Sequence, residues 1–280
     1  MSLHSAELVK DLTQRAQELR IEALKMVYNA QSGHLGGSFS AAEIIAAMYF
    51  HHLRIDPQHP DWPDRDRLVI SKGHCAPVSY AAMAAVGFFP KEWLKTFRQT
   101  GSRLQGHPDR SKLPGVETNS GPLGHGLSIG VGLALSARLS GRAYRTYVLQ
   151  GDGESQAGVV WEAAMAANKY RVDNLTCVLD YNGVQLDGAV CDVMPLEPLS
   201  DKWRAFGWHV FEIDGHNMRE LLEVLDAVPE IRGQPTMVIA RTVKGKGVSF
   251  MEHNCAWHGR APDEQEFQQA LVELQKGLVQ

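Results

Sequence analysis

Two polar residues that each follow a predicted strand, Asp152 and Asn182, are of the types that hold a metal ion against a phosphorylated ligand. The apolar runs Tyr144–Leu149 and Leu175–Tyr181 suit buried parallel strands, and Gly158–Tyr170 between them suits a helix. Because right-handed crossovers place such strands in one sheet, both side chains are expected at the same crevice. A hard cation such as Mg²⁺ takes carboxylate and amide oxygens together with phosphate oxygens, so these residues predict a metal–diphosphate site.

Glycines flank the acidic member of this pair at positions 151 and 153, which lets the backbone approach a bound group closely. A helix start near Gly153 would direct unpaired N–H groups at the remaining negative charge. A tight turn after a strand produces the same Gly-Asp-Gly motif, and the Tyr-Asn-Gly at Asn182 suits another turn. The motif alone therefore leaves a purely structural interpretation open.

Histidines beside glycine form a second group of residues able to do chemistry. Of the 12 histidines, these all adjoin glycine and lie in predicted loops: His34, His74, His107, His125 and His258. A single loop histidine is usually solvated structure, but this recurrence favours function. Since imidazole titrates near neutral pH, one residue type can donate a proton to a substrate oxygen and later accept one.

Composition excludes several classes of function. The 280 residues are 44% hydrophobic, enough for one large core or two smaller ones, and a formal charge of −4 gives no attraction to nucleic acid or anionic membranes. The N-terminus lacks a signal pattern, and no stretch approaches the roughly 20 apolar residues of a membrane span, so we expect a cytoplasmic protein. The four cysteines lack CxxC spacing, which predicts reduced thiols and no zinc site.

Apolar periodicity predicts the scaffold that positions these residues. An amphipathic helix extends from Leu8 to about Ala30. After a glycine-rich loop, Ser40 and Glu43 have the spacing of a capping box that opens the next helix. Arg67–Ser71 is predicted as a short buried strand that ends just before His74.

Strands and helices continue to alternate along the rest of the chain. Strands are predicted at Trp208–Ile213 and Pro235–Arg241, with a helix at Arg219–Val228 between them. Residues 100–126 are rich in glycine and proline, which favours an ordered binding loop, with disorder as the alternative. The pattern predicts an α/β fold, a parallel sheet flanked by helices on both faces, in one domain over residues 1–280.

Several short blocks extend over most of the chain and, in this order, resemble the N-terminal half of transketolase. They are SGHLGGSFSAAEI, ISKGHC, GHPDRSKLPGVETNSGPLGHG, GDGESQAG, VLDYNGVQLDG, DGHN and KGKGVSFMEHNCAWHG. The pair of Asp152 and Asn182 resembles the thiamin diphosphate signature. The resemblance implies the thiamin diphosphate-binding fold, with bound thiamin diphosphate and Mg²⁺ or Ca²⁺.

The resemblance also implies roles for individual residues. Asp152, Asn182 and the carbonyl of Val184 would hold the metal. The catalytic candidates, which match histidines that contact diphosphate, cofactor or sugar, are His34, His74, His107 and His258. The implied cofactor contacts are His74, Gly121, Leu123, Gly153, Glu154, Asn182 and His258. Residues 242–260 would form a lid and residues 262–277 a covering helix, while His216 has no implied role and is predicted to be structural.

The implied reaction is the transfer of a two-carbon ketol unit between sugar phosphates. Cleaving a carbon–carbon bond beside a carbonyl leaves an acyl carbanion, and the thiamin ylid supplies the electron sink that side chains lack. In the family, a glutamate from a following domain activates the cofactor, and this sequence ends at Gln280 before such a domain. We therefore expect the N-terminal subunit of a split transketolase. Two copies would form a homodimer within a heterotetramer, and a C-terminal transketolase section would supply the glutamate.

Two other functions stay open at this point. The chain could be half of another thiamin diphosphate enzyme, of the deoxyxylulose-phosphate synthase or 2-oxo acid dehydrogenase α-subunit type, or a catalytically silent cofactor-binding protein. The motifs also depart from the family pattern at two positions. Ala157 replaces a glutamate that normally joins a link between paired active sites, and His125 replaces a common glutamine.

Overall fold

Five parallel strands form one sheet at the centre of the fold. A computed structural model describes residues 4–278, and the two ends of the predicted domain, residues 1–3 and 279–280, lie outside the described residues. The strands are Arg67–Ile70 (β1), Thr146–Gly151 (β2), Leu175–Tyr181 (β3), His209–Asp214 (β4) and Thr236–Arg241 (β5). Their order across the sheet is β1-β2-β3-β5-β4. Each predicted strand is present within two residues of its expected bounds.

Helices connect and cover the strands. The described residues form the α-helices Ala6–Ala30 (α1), Gly36–Ser40 (α2), Ala42–Ala47 (α3), Ala76–Val86 (α4), His125–Leu139 (α5), Gly158–Lys169 (α6), Val190–Val193 (α7), Leu199–Ala205 (α8), Met218–Ala227 (α9) and Glu264–Lys276 (α10). Single turns of 3-10 helix include Gly73–Cys75 and Gly153–Gln156, each at the C-terminal end of a strand. None of these helices is long and apolar enough to cross a bilayer.

Both faces of the sheet are covered because successive residues of a strand point to opposite sides. In β2, Tyr147 and Leu149 pack into the core that includes α1, α3, α4, α9 and α10. Val148 between them packs into the second core, with α5, α6 and α8. The predicted fold class, a parallel sheet flanked by helices on both faces, is therefore confirmed.

The capping box predicted at Ser40 and Glu43 is wrong. The glycine-rich segment before it is itself a helix, α2, so Ser40 lies inside a helix and α3 begins at Ala42 without a side-chain cap. The Ser40 hydroxyl is drawn away by a buried carboxylate, since its Oγ donates to Asp180 Oδ2 at 2.6 Å. Glu43 instead accepts a hydrogen bond of 2.5 Å from Arg20, which is also buried.

The segment 242–260 lies across the C-terminal edge of the sheet. It is held by Gly245 N, which donates to Gly36 O at 3.0 Å, and by the buried side chains of Val248 and Met251. Helix α10 packs on α1, where the rings of Tyr28 and Phe267 stack at 4.1 Å. The connection through residues 100–124 consists of turns and bends.

Close packing of α5 on β2 gives a test of this arrangement. A Cβ at Gly130 would lie 2.5 Å from Val148 Cγ2, whereas a Cβ at Gly132 on the same helix would meet no atom within 4 Å. We expect Gly130→Ala to lower the free energy of unfolding by about 1–3 kcal/mol through overpacking. Gly132→Ala should leave it unchanged or raise it by up to about 1 kcal/mol, because alanine favours helix. Urea denaturation at one protein concentration measures both, and equal effects would contradict the packing.

Candidate active site

A cavity of about 240 Å³ opens where β2 and β3 end. Its walls include these residues predicted from sequence: His74, Leu123, Asp152, Gly153, Glu154, Asn182, Val184 and His258. Residues not predicted individually also line it: Lys72, Gly151, Gln185, Leu186 and Lys244. Strand ends thus bring together side chains that are far apart in sequence.

The three predicted metal ligands, Asp152, Asn182 and Val184, all line the cavity. Asp152 Oδ2 accepts from Gly183 N at 2.6 Å, and Asn182 Oδ1 accepts from Val184 N at 3.1 Å. The first bond fixes the loop after β3 against the loop after β2, and the second lies within the loop after β3. Within residues 4–278 no three His, Cys, Asp or Glu side chains could hold a metal together, so an ion here would depend on carboxylate, amide, carbonyl and diphosphate oxygens. That donor set fits a hard cation.

The glycines of the motif provide room for a bound group. A Cβ at Gly153 would lie 3.1 Å from Gln185 Cβ, so a side chain there would crowd the wall opposite. Gly121, near the start of α5, has φ of 149°, in a region that favours glycine, and nothing lies within 4 Å of its would-be Cβ. Gly121 is outside the walls of the cavity, while Leu123 lines it and is 44% exposed.

A buried ion pair supports the base of the cavity. Lys72 and Asp180 are 1% and 0% exposed and in direct contact. Lys72 Nζ also donates to Gly37 O at 3.0 Å, and Asp180 accepts from the hydroxyls of Ser40 and Thr242. Burial opposes both charges, yet Asp180 raises the pKa of Lys72 and Lys72 lowers the pKa of Asp180. Burial, together with the Asp180 charge, raises the pKa of Asp152 to about 6.

Glu154 lines the cavity, but its carboxylate is bonded to the protein. It accepts from Gly124 N at 2.6 Å, from Gly151 N at 3.0 Å and from the Ser71 hydroxyl. Burial raises the pKa of Glu154, although these hydrogen bonds act to lower it. The side chain therefore joins the ends of β1 and β2 to the start of α5.

Lys244 projects from segment 242–260 into the cavity wall. Its Nζ donates to Val184 O and contacts His258 Nδ1, both at 2.9 Å. Burial and the nearby Lys72 lower the pKa of Lys244 to about 8. His216 holds the start of this segment, because its Nε2 accepts from Val243 N at 2.8 Å while its Nδ1 contacts Glu43 at 3.0 Å. This geometry supports the structural role predicted for His216.

The four candidate catalytic histidines form one cluster. The centroid of the His34 ring lies 5.7 Å from His74, 6.1 Å from His107 and 5.3 Å from His258. Burial and neighbouring cations lower the pKa of His34 to about 4 and that of His258 to about 3, and burial also lowers the pKa of His74 and His107. These imidazoles are therefore neutral near pH 7 and able to donate or accept hydrogen bonds.

The two departures from the family pattern lie beside the cavity. His125 is exposed at the first position of α5. Ala157 precedes α6, and a Cβ at Gly124 would lie 2.9 Å from its methyl group. Neither residue lines the cavity.

Sequence reasoning missed Lys72, Asp180 and Lys244 as individual site residues. Asp180 had a usable signal, since a carboxylate inside an otherwise apolar strand is buried and needs a partner. Lys72 directly precedes the Gly73-His74 pair at a strand end, and Lys244 lies in the lysine- and glycine-rich segment 242–260, predicted as a lid. Which charges would pair depended on the strand order, which the sequence pattern left open.

Comparison with known proteins identifies the family. Residues 12–275 match the family described as transketolase, thiamine diphosphate binding domain. The chain belongs to this family.

Two relatives of this transketolase chain are named as subunits and match over nearly their full length. The 6-deoxy-6-sulfo-D-fructose transketolase subunit SqwG of Clostridium sp. (strain MSTE9) is 44% identical over 95% of this chain and 97% of its own. An apulose-4-phosphate transketolase subunit of Phocaeicola vulgatus is 40% identical over 96% of each chain. The solved transketolase of Campylobacter jejuni has a TM-score of 0.89 and 32% identity, covering 95% of this chain and 43% of that one.

The prediction of a transketolase N-terminal section is therefore confirmed, as is the transferase class. The thiamin diphosphate-binding fold is confirmed by the same structural match. The chain spans less than half of the full-length transketolase from Campylobacter jejuni, and nearly all of the relatives that are named subunits.

The buried ion pair at the base of the cavity can be tested on the chain alone. We expect Lys72→Met to lower the free energy of unfolding by about 3–5 kcal/mol, because Asp180 is left as an unpaired buried charge. Adding Asp180→Asn should restore a large part of this loss. Denaturation of wild type, both single variants and the double variant measures the coupling, and purely additive losses would contradict it.

Proposed function

We propose that this protein binds thiamine diphosphate with Mg²⁺ or Ca²⁺ in the cavity and, completed by a C-terminal transketolase section, transfers a two-carbon ketol unit between anionic sugars. The observation that carries the proposal is that Asp152, Asn182 and Val184 line one cavity with His74 and His258, whose rings both neighbour His34 outside that lining. Oxygen ligands and neutral imidazoles at one site suit anchoring of a diphosphate beside a reacting sugar.

The residues of the chain would divide the work of binding. Asp152 and Asn182 side chains and the Val184 carbonyl would hold the metal, with phosphate oxygens as further ligands. Lys244 is a cation at the same wall, with no carboxylate of the described residues in an ion pair with it, so it suits a phosphate group. When bound, thiamine diphosphate supplies the electron sink for cleavage next to a carbonyl.

The histidines would act on the substrate. Because their imidazoles are neutral near pH 7, each presents one N–H donor and one acceptor. A donor stabilises negative charge that develops on a substrate oxygen, and an acceptor takes a hydroxyl proton. His34, His74, His107 and His258 are close enough to serve successive oxygens of one sugar chain.

Relatives suggest the class of substrate. The two separate subunits compared above act, by their names, on 6-deoxy-6-sulfo-D-fructose and on apulose 4-phosphate, both of which are anionic at one end. We extend the common chemistry to this chain, as a ketose with a terminal phosphate or sulfonate. The other thiamin enzyme halves are less favoured, since these two relatives, which match over nearly their full length, are transketolases. A silent protein is less favoured because the sequence retains every predicted metal ligand and histidine, apart from the change at Ala157.

Exposed apolar side chains mark two surfaces where partner chains would bind. Leu123 and Leu186 line the cavity and are 44% and 61% exposed, so a C-terminal section could cover its mouth and bring the activating glutamate there. Leu139 of α5 and Met165 of α6 are exposed on adjacent helices and support a homodimer of this chain within a heterotetramer. In this proposal residues 1–280 are one cytoplasmic domain. Segment 242–260 is a lid over the site, and α10 is a helix that covers the domain.

Metal-dependent cofactor binding is the first test of this function. Asp152→Ala should weaken thiamine diphosphate binding in the presence of Mg²⁺ at least tenfold, on the order of 1.4 kcal/mol, because the metal loses its carboxylate. Asp187→Ala is the matched control, since Asp187 is exposed in the same loop and outside the cavity. Isothermal titration calorimetry with and without a chelator measures both, and unchanged affinity in Asp152→Ala would exclude this metal site.

Reconstitution tests the division into two chains. We expect the purified 280-residue chain to be inactive. Residues 4–278 contain no second domain that could place an activating carboxylate at the far end of an extended cofactor. Adding the candidate C-terminal section should restore ketol transfer from a ketose phosphate or sulfonate to an aldose phosphate. A coupled spectrophotometric assay measures transfer, and full turnover by the chain alone would refute the proposal.

A further inference from the structure

Arg98 lies at the edge of the histidine cluster without a carboxylate partner. None of the ion pairs among residues 4–278 includes it, and its pKa is lowered by burial. Its Nη1 donates to Ser32 Oγ at 2.7 Å, and its Nη2 lies 3.4 Å from His34 Nδ1. A guanidinium directed at an imidazole rather than at an anion is unusual, since a partly buried cation normally has a compensating charge.

The position of this guanidinium is enforced by its surroundings. Arg98 has φ of 57°, a left-handed conformation that non-glycine residues rarely adopt, and its backbone N–H donates to Leu104 O at 2.9 Å. A Cβ at Gly106 would lie 2.7 Å from both Nε and Nη2, so only glycine allows the guanidinium to lie there. The left-handed backbone at Arg98 and the absence of a side chain at Gly106 together direct the guanidinium toward His34.

This contact determines which ring nitrogen of His34 carries the proton. Arginine keeps its proton under all ordinary conditions and has no acceptor, so it can only donate. Nδ1 of His34 must then be the unprotonated nitrogen, and the proton of the neutral ring must be on Nε2. Among the described residues Nε2 has no hydrogen-bond partner, and it faces Gly259 of segment 242–260, whose would-be Cβ is 3.3 Å away.

We propose that Arg98 is a positioning residue that fixes His34 as the neutral Nε2–H tautomer, so that His34 serves as a hydrogen-bond donor to a substrate oxygen. The tautomer follows from the geometry alone, and its use in the reaction rests on the proposed function. A fixed donor stabilises negative charge at the oxygen without reorganising during the reaction. With the other tautomer, His34 would present an acceptor to the same oxygen.

The charges around His34 act in the same direction. Burial, Arg98, His107 and Lys244 each lower its pKa, which is about 4, and the other ring neighbours, His74 and His258, are also neutral. A folded-state pKa below the ordinary value of about 6.5 means that the unfolded chain takes up this proton first as pH falls. The stability contributed by neutral His34 is therefore present above about pH 6.5 and is lost progressively toward pH 4.

Nitrogen NMR of the chain alone tests the tautomer without any need for activity. With ¹⁵N-histidine labelling, and His34 assigned from the spectrum of His34→Asn, long-range proton–nitrogen correlations should show a single Nε2–H form in the wild type. Arg98→Met should give a mixture of tautomers and raise the pKa of His34 by at least about one unit, a tenfold change in proton affinity. His59, whose pKa is raised by Asp56 far from the site, is an internal reference.

Three further variants make the test specific. Gly106→Ala should reproduce the effect of Arg98→Met, because the added methyl group displaces the guanidinium while Arg98 stays in the sequence. Arg98→Lys keeps the positive charge but loses the forked guanidinium that reaches Ser32 and His34 together. Compared with Arg98→Met, it should keep the pKa of His34 low but should still show a mixture of tautomers. Arg103→Met is the matched control, since Arg103 is exposed and stacks on Trp93.

In the reconstituted enzyme, Arg98→Met should lower kcat about tenfold and move the acidic limb of the pH–rate profile upward, with Arg103→Met unchanged. An Nδ1–H form of His34 in the wild type, or an unaltered tautomer in both Arg98→Met and Gly106→Ala, would overturn the proposal. If Arg98→Met does not fold, Gly106→Ala and Arg98→Lys decide it. If the wild-type pair has no ketol-transfer activity, the proposed function fails while the NMR result still decides the tautomer.

Discussion

The buried ion pair between Lys72 and Asp180 is the interaction on which the site depends. It joins the end of β1 to β3 across the intervening strand, and it also binds α2 through Gly37 O and Ser40 and the segment after β5 through Thr242. Two charges removed from water are stable only when hydrogen bonds compensate for the lost hydration, so these four elements must assemble together. The cavity edge is thereby fixed before any ligand arrives.

The carboxylates around the cavity are paired or hydrogen-bonded, whereas two cations nearby form no ion pair with the described residues. Asp180 neutralises Lys72, and Glu154 is occupied by Ser71 and two backbone N–H groups. Lys244 and Arg98 form no ion pair within residues 4–278, and both instead donate toward uncharged groups, including the Nδ1 atoms of His258 and His34. A cation directed at an imidazole lowers the pKa of that ring, so the ring stays neutral near pH 7. The result is a cluster of neutral imidazoles in a positive surrounding, which suits ligands that bring anionic groups of their own.

Sequence patterns predicted the strands, the fold class and the meeting of Asp152 with Asn182 because these depend on local periodicity and on the common direction of parallel strands. The capping box at Ser40 failed because a tertiary partner, Asp180, took the hydroxyl that the local pattern assigned to a helix end. Arg98 had no motif at all, since its role depends on a left-handed backbone and on Gly106 eight residues later in the chain. Short-range patterns identify residues that follow strand ends, whereas pairing between loops is decided by the assembled fold.

The Gly-Asp-Gly turn shows how one substitution changes what a motif can do. In residues 151–158 the carboxylates are those of Asp152 and Glu154, and both are committed to neighbouring backbone N–H groups. Ala157 offers a methyl group beside Gly124, so this turn has no carboxylate directed outward past the start of α6. A link between paired active sites that runs through an acidic side chain at this position would therefore need a different residue. His125, exposed at the adjacent helix start, is a polar group near that surface, but an imidazole there does not supply the negative charge of a carboxylate.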